Sequence, residues 1–404
     1  MIDLVDKQLL IITPDYPDEK NIFTGCNYVK RMLDETHSCF KEVNVIAPVL
    51  STFGKTPQSK YCKDYSYDNV NVYCPTGYYI PNITPGGNTW WQPYVDFRYN
   101  AIISTIKEHD IHFDLIHAQF AYMSGDIAYK LHQLYQVPYI ISIYEDTQWM
   151  HHLINTWGLK YTVPIQNADA VICINNIDAA YLNTINPTTL YIPAGYTSEK
   201  FKQLPESKDE LKRYLIDPPN QKMIISVGNI EKRKRFDILI NAVCDINRCN
   251  GIFPLVCFII GRDKGEQKYL TELIKQRHAE LDIHILNNVP DEDLVKYMNA
   301  ADVLTVQSDS EGFGVTQVEA WACGTPVVAT DNNGSLSLFC KNINNVLGEL
   351  FSINNGDKSM QRALINVLMK PPNREMLVKE SEKYRWTTIA EQLKNVYVTT
   401  MGKT

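Results

Sequence analysis

Residues 308–330 read SDSEGFGVTQVEAWACGTPVVAT, and the residue types follow the order of a glycine-bearing loop, a helix and a strand. PVVAT is a short β-branched run of the kind that fills a buried sheet. The helix before it is apolar at Val318, Ala320, Trp321, Ala322 and Cys323, yet Glu319 stands among them. A lone carboxylate in such surroundings is costly unless something pairs with it. A second acid, Glu311, lies eight residues upstream, just before the helix begins. Gly312 and Gly314 permit unusual backbone angles and close approach of a ligand. The amides of Phe313, Gly314 and Val315 then open the helix, and free N–H groups at a positive helix end make a ready anion site.

Outward from this stretch, strand-like and helix-like segments alternate along the whole chain. QLLIITP, EVNVIAP, LIHAQF, YIISIYE and AVICIN are short apolar runs, with helical spacing in NYVKRMLDETHSCF and GDIAYKLHQLYQV. The alternation restarts after residue 220 with KMIISVGN, PLVCFIIG, IHILNNV, ADVLTVQS and GTPVVAT. Strands alternating with helices imply parallel sheets built from βαβ units, here twice over. The expected fold is α/β, with two doubly wound, Rossmann-like domains. Residues 1–197 are expected to form the first domain, with 385–404 packing back on it, and 198–384 the second. The stretch 196–220, rich in proline and charge, reads as the linker. The segment 61–99 packs eleven aromatics into 39 residues and reads as a hairpin-like insertion on the first domain. Alternatively it is a carbohydrate or lipid platform, with Trp90 and Trp91 as its first members.

Composition bounds the class. At 404 residues the chain exceeds what one core usually supports. Apolar content of 45% and charged content of 21% are those of an ordinary soluble globular protein. No apolar run approaches the roughly 20 residues needed to span a bilayer, and MIDLVDKQLLIITPDYP reads as a first strand rather than a signal peptide. Ten cysteines without a C-x-x-C pair fit free thiols in a reducing cytoplasm. A net charge of −7 argues against nucleic acid as a partner.

Ligands of open α/β sheets bind beyond the carboxyl ends of the strands, where the quoted loops fall. There Glu319, with Thr316 and Cys323 on its face, is placed to accept hydrogen bonds from a polyol such as a ribose, and Glu311 would face whatever hangs from the phosphate. The plainer reading has Glu319 paired within the protein and Glu311 solvated in its loop. In SVGNIEKRKRFDILINAV, Gly228 ends a strand and Lys232, Arg233, Lys234 and Arg235 precede a helix. Such a charge run is either a solvated face or a clamp for a diphosphate. There is no G-x-G-x-x-G after the first strand, no G-x-x-x-x-G-K-[ST], no H-E-x-x-H and no G-x-S-x-G. Dinucleotide dehydrogenases, P-loop enzymes, zinc hydrolases and serine hydrolases are therefore unsupported, and no metal site is expected.

EGFGVTQVEAWACGTPVVAT resembles the E-x7-E signature of retaining glycosyltransferases of the GT-B fold, family 4. YIPAGYTSEKF, VGNIEKRKRFDILINA, FIIGRDKGEQKYLTELI and ILNNVPDEDLVKYMNAADVLTVQSDSEGFG support it in the same order, and KYRWTTIAEQLKNVY resembles the family's last helix. The resemblance is strong over 190–400 and weaker before, where ITPDYPDEKNIFTGCNYVKRML and DLIHAQF fit. It implies two domains facing a central cleft, no cofactor, and a nucleotide-sugar donor, UDP- or GDP-linked. It further implies that Glu319 holds the ribose and that Glu311, the catalytic candidate, contacts the donor sugar. Lys234 and the loop amides of Gly312, Phe313, Gly314 and Val315 would hold the diphosphate. Asn288 would lie near the base and Gly25 near the donor phosphates. A hexose would pass, with retention, to a glycan, lipid-linked glycan or protein, by front-face attack without a metal.

Three positions depart from the family pattern. Asn229 stands where an arginine is usual, so Arg233 or Arg235 is the expected replacement, and Arg235 itself stands where a glycine follows the motif lysine. Tyr144 and Glu145 replace the usual His-Gly of the first domain, leaving Tyr144 or Asp146 as the acceptor-side stand-in. That loss keeps open a different class: a catalytically inactive partner subunit of the same fold that binds a glycosylated or peptide target. A cytoplasmic location, extending to the inner face of a membrane, is expected. Peripheral membrane contact and assembly with a partner subunit or a second copy stay open.

Overall fold

The computed structural model describes residues 3–51, 56–78, 91–249, 253–340 and 346–402. The chain divides into two compact units, Met1–Ala194 with Trp386–Thr404, and Gly195–Arg385. Each is built on a doubly wound parallel sheet, as the alternation of apolar runs and helical periods requires.

In the first unit the sheet runs Thr189–Tyr191, Ala170–Cys173, Tyr139–Ile143, Leu115–Gln119, Gln8–Ile12, Glu42–Ile46, Val70–Tyr73 and Tyr65–Tyr67. All neighbours are parallel except the last two, which form an antiparallel hairpin at the edge. The strands LIHAQ and YIISI are buried at every position because helices cover both faces, so they read as unbroken apolar runs. Gln8–Ile12 pairs with Glu42–Ile46 on one side and Leu115–Gln119 on the other, so the strand order reverses between the first and Leu115–Gln119 strands. The last helix, Trp386–Met401, buries Trp386, Ile389, Leu393 and Tyr397 against Leu9, Val43 and their neighbours. Beneath it the fully buried His117 meets Tyr397 Oη at 3.0 Å through Nδ1 and Ser142 Oγ at 2.8 Å through Nε2.

The aromatic segment is only partly the expected insertion. Tyr65 and Tyr67 do lie in a hairpin, and Tyr67 Oη meets Tyr16 Oη at 2.7 Å. Residues from 91 onward instead open an 18-residue helix, Trp91–Glu108. Val95, Ile102 and Ile106 recur on its buried side at helical spacing, a period that the density of aromatics masked. Trp90 lies outside the described residues, as does the side chain of Trp91.

In the second unit the six parallel strands run Ile283–Leu286, Leu255–Ile260, Lys222–Val227, Val303–Val306, Val327–Thr330 and Gly348–Phe351. In chain order this is 3-2-1-4-5-6, and it reverses between Lys222–Val227 and Val303–Val306. Ligands of such sheets sit at that reversal, outside the carboxyl ends of the strands. The expected linker 196–220 contains a helix, Lys208–Leu215, opened by a reciprocal capping box between Ser207 and Glu210. S-x-x-E ahead of an amphipathic run was the signal for it. No described helix is long and apolar enough to cross a membrane.

Candidate functional site

The loops that leave Lys222–Val227 and Val303–Val306 meet at the reversal and are stitched together. Asp309 N donates to Arg233 O at 2.9 Å, and Gln307 Nε2 donates to Lys234 O at 3.0 Å. Arg233 spans the gap, Nη1 to Ser310 O at 2.5 Å and Nη2 to Glu231 Oε1 at 2.9 Å. Lys234 Nζ lies 2.5 Å from Glu311 Oε1, and Arg233 Nη1 is 3.8 Å from the same oxygen. Both partners of the close pair are mostly buried, so water screens the attraction less than at a surface. Three predicted site residues, Arg233, Lys234 and Glu311, are thus one cluster.

The helix Val315–Ala322 starts beside them. Gly314 is its N-cap, with φ +95°, and a Cβ there would come 2.3 Å from Gln317 Nε2. Only glycine turns this corner without strain. No side chain caps the helix, so its opening amides face the loop. Gly334, on the neighbouring helix Asn333–Phe339, donates its N–H to Glu311 O at 3.1 Å. A Cβ at Gly334 would lie 2.7 Å from Glu311 O and 2.9 Å from Phe313 O.

Glu319 follows one turn into the helix. It is half-buried, and among the described residues its carboxylate has no hydrogen bond or ion pair. Loss of water pushes its carboxyl up to about 7. Lys200 opposes that shift and Asp291 reinforces it. These two form their own ion pair at 2.7 Å. Asp291 opens the helix that follows Asn288, so the end of strand Ile283–Leu286 and Glu319 share one electrostatic neighbourhood.

The other predicted residues are more dispersed. Asn229 and Asn288 are exposed, Asn288 with φ +54°. Arg235 is turned away from the cluster: its guanidinium binds Asp237 through Nε at 3.1 Å and Asp309 through Nη1 at 3.1 Å. It holds φ +48°, where glycine would be unstrained, and the two carboxylates offset part of that cost. Of the two proposed substitutes for the missing arginine, Arg233 alone joins the cluster.

In the first unit Gly25 has φ +42°, and a Cβ there would come 2.7 Å from Asp15 Oδ1. Asp15 Oδ1 accepts from Cys26 N at 2.5 Å and so shapes this loop. Tyr144 packs against Tyr28, ring centroids 4.4 Å apart. Asp146 caps the helix Thr147–Trp157 by accepting from Trp149 N at 2.9 Å. Glu145, where a glycine was expected, is 6% exposed and accepts from Tyr122 N at 2.9 Å and Tyr144 N at 3.1 Å. Burial pushes its carboxyl above the usual range against the pull of those amides.

Sequence reading missed Gln307, Gly334, Asp15 and the amide-holding role of Glu145. Gln307 carried a faint signal, a polar residue closing the buried run VLTV. Apart from the adjacent Tyr144 amide that Glu145 also holds, the other roles depend on partners at least eleven residues away. Among the described residues no group of three or more His, Cys, Asp or Glu could hold a metal ion.

Residues 207–384 match the family described as glycosyl transferases group 1. A glycosyltransferase assigned to teichuronic acid biosynthesis in Bacillus subtilis is 25% identical over 344 residues, covering 83% of each chain. Sucrose-phosphate synthase from Thermosynechococcus elongatus superposes with a TM-score of 0.75 at 19% identity, over 98% of this chain and 100% of that one. Anabaena Alr3699/HepE, solved in complex with UDP-glucose, gives 0.69 at 17% identity, over 97% and 100%. The fold is GT-B, and the protein is a glycosyltransferase with a group 1 domain in its second unit.

Proposed function

We propose that the protein is a retaining transferase that takes a hexose from a nucleoside diphosphate sugar, UDP- or GDP-linked, without a metal ion. The observation that carries this reading is Glu319. A half-buried carboxylate with no hydrogen bond from the described residues, one turn into a helix whose opening amides are uncapped, suits a ribose whose diphosphate lies at the helix end. The diphosphate then meets Lys234, Arg233 and the amides of Gly312 to Val315. Two cations and a helix end can neutralise a departing diphosphate. Glu311, held by Lys234, faces the donor sugar, and Asn288 borders the base.

In the reaction the bond between the sugar's anomeric carbon and the β-phosphate oxygen breaks while an acceptor hydroxyl oxygen bonds the same face of that carbon. The hydroxyl proton passes to the departing phosphate oxygen. UDP bound to a neighbour of the same fold supports uridine as the first base to test. The test is release of nucleoside diphosphate from UDP-, GDP- and ADP-sugars by the purified chain. Turnover of one donor series, lost in Glu311→Gln with the fold intact, is the expected result. No release from any donor in the presence of an acceptor extract would overturn the reading.

A further inference from the structure

The first unit has its own reversal of strand order, between Gln8–Ile12 and Leu115–Gln119, and a cavity of about 370 Å³ opens there. Asp15, Tyr122, Tyr144, Glu145, Asp146 and Trp149 are among its lining residues. Among its described lining residues three are carboxylates, and none is a lysine, arginine or histidine. The buried Arg98 on this side of the sheet donates to the carbonyls of Thr13 and Pro14. Each carboxylate is fixed by main-chain N–H groups: Asp15 by Cys26, Glu145 by Tyr122 and Tyr144, and Asp146 by Trp149. They are rigid acceptors rather than swinging surface charges.

The loop that carries Tyr122 is itself held in an uncommon shape. Phe120 and Met123 have φ +72° and +62°, costly for residues with side chains, and Glu145 pins the amide between them. Trp149 stands at the rim, 46% exposed, its indole stacked on His152 at 5.1 Å with Tyr122 edge-on at 6.4 Å. A large exposed aromatic beside fixed acceptors matches the two sides of a pyranose: an apolar face of C–H groups and a rim of hydroxyl donors.

We propose that this cavity is the acceptor subsite and that it takes an uncharged glycoside, whose ring lies on Trp149 and whose hydroxyls donate to Asp15 and Asp146. Phosphorylated and carboxylated sugars are rejected, because they bring an anion to fixed like charges with no cation among the described lining residues to offset it. The proposal rests on the transferase reading above, but uses only residues of the first unit.

The test is an NMR titration of protein labelled with 15N-tryptophan, in which the Trp149 indole resonance is assigned by its loss in Trp149→Phe. The probes are methyl α-D-glucopyranoside, methyl α-D-mannopyranoside, methyl β-D-galactopyranoside, maltose and cellobiose, set against glucose 6-phosphate and glucuronic acid. A saturable shift with at least one neutral probe, and binding at least tenfold weaker for both anionic ones, is expected. An anionic sugar binding as tightly as the best neutral probe, or no neutral probe moving the resonance, would overturn it. A UDP titration of the same sample reads the donor site separately, so the two readings fail independently.

Discussion

At the residue scale, the site turns on where cations and carboxylates end up. Lys234 is a point charge set 2.5 Å from Glu311 at the mouth of a helix, where it can serve both the carboxylate and an incoming phosphate. A charge-assisted contact of this kind is worth about 1.5–3 kcal/mol. Lys234→Ala is therefore expected to weaken UDP or GDP binding by roughly 10- to 150-fold while leaving the matching nucleoside nearly unchanged. Calorimetric titration of both ligands checks this, and equal losses would show that the lysine does not meet the phosphates. The lysine was legible in its charge run, as was Glu319 in its apolar helix. Glu145 was not, because its partner amide at Tyr122 is brought to it by the strained loop after Leu115–Gln119.

At the element scale, the loop 307–314 is shaped by its neighbours as much as by its own glycines. Gly334 approaches so closely that an added Cβ would press on two carbonyl oxygens, and backbone atoms yield less readily than a flexible side chain. Overpacking of this kind typically costs 1–3 kcal/mol. Gly334→Ala is expected to displace the loop and weaken nucleoside diphosphate binding at least tenfold, with far-ultraviolet circular dichroism unchanged. Unaltered affinity would mean that the loop tolerates displacement. The buried strands were readable as apolar runs because parallel sheets are covered on both faces. The helices Lys208–Leu215 and Trp91–Glu108 were less readable. The first is short and highly charged, and the second carries an apolar period interrupted by aromatic and charged residues.

At the scale of the whole molecule, the last helix is what closes the first unit, and His117 lies under it between Tyr397 and Ser142. Burial lowers the imidazole's pKa to about 3 from an ordinary 6.5. The folded state therefore keeps His117 neutral where an unfolded chain would take up a proton. Its contribution is unaffected above pH 6.5 and is lost as pH falls toward 3, by about 1.4 kcal/mol per pH unit. His117→Gln keeps polar capacity without the titration, so its thermal midpoint is expected to fall less between pH 7 and pH 5 than that of the wild type. Parallel pH profiles for the two proteins would contradict this role. The division into two wound sheets was written in the restart of strand–helix alternation after residue 220, whereas the pairing of His117 with Tyr397, 280 residues later in the chain, was not.

The measurement that bears most directly on the account is thermal stabilisation by UDP, GDP and ADP of wild type and Glu319→Ala. A ligand at a hundred times its dissociation constant adds about 2.7 kcal/mol to the folded state, enough to resolve. One diphosphate is expected to stabilise the wild type and not the variant. The effect should weaken as pH drops below about 7, where Glu319 takes up a proton and can no longer accept from two hydroxyls. Equal stabilisation of both proteins, or of neither by any nucleotide, would contradict the assignment of Glu319 to a bound ribose.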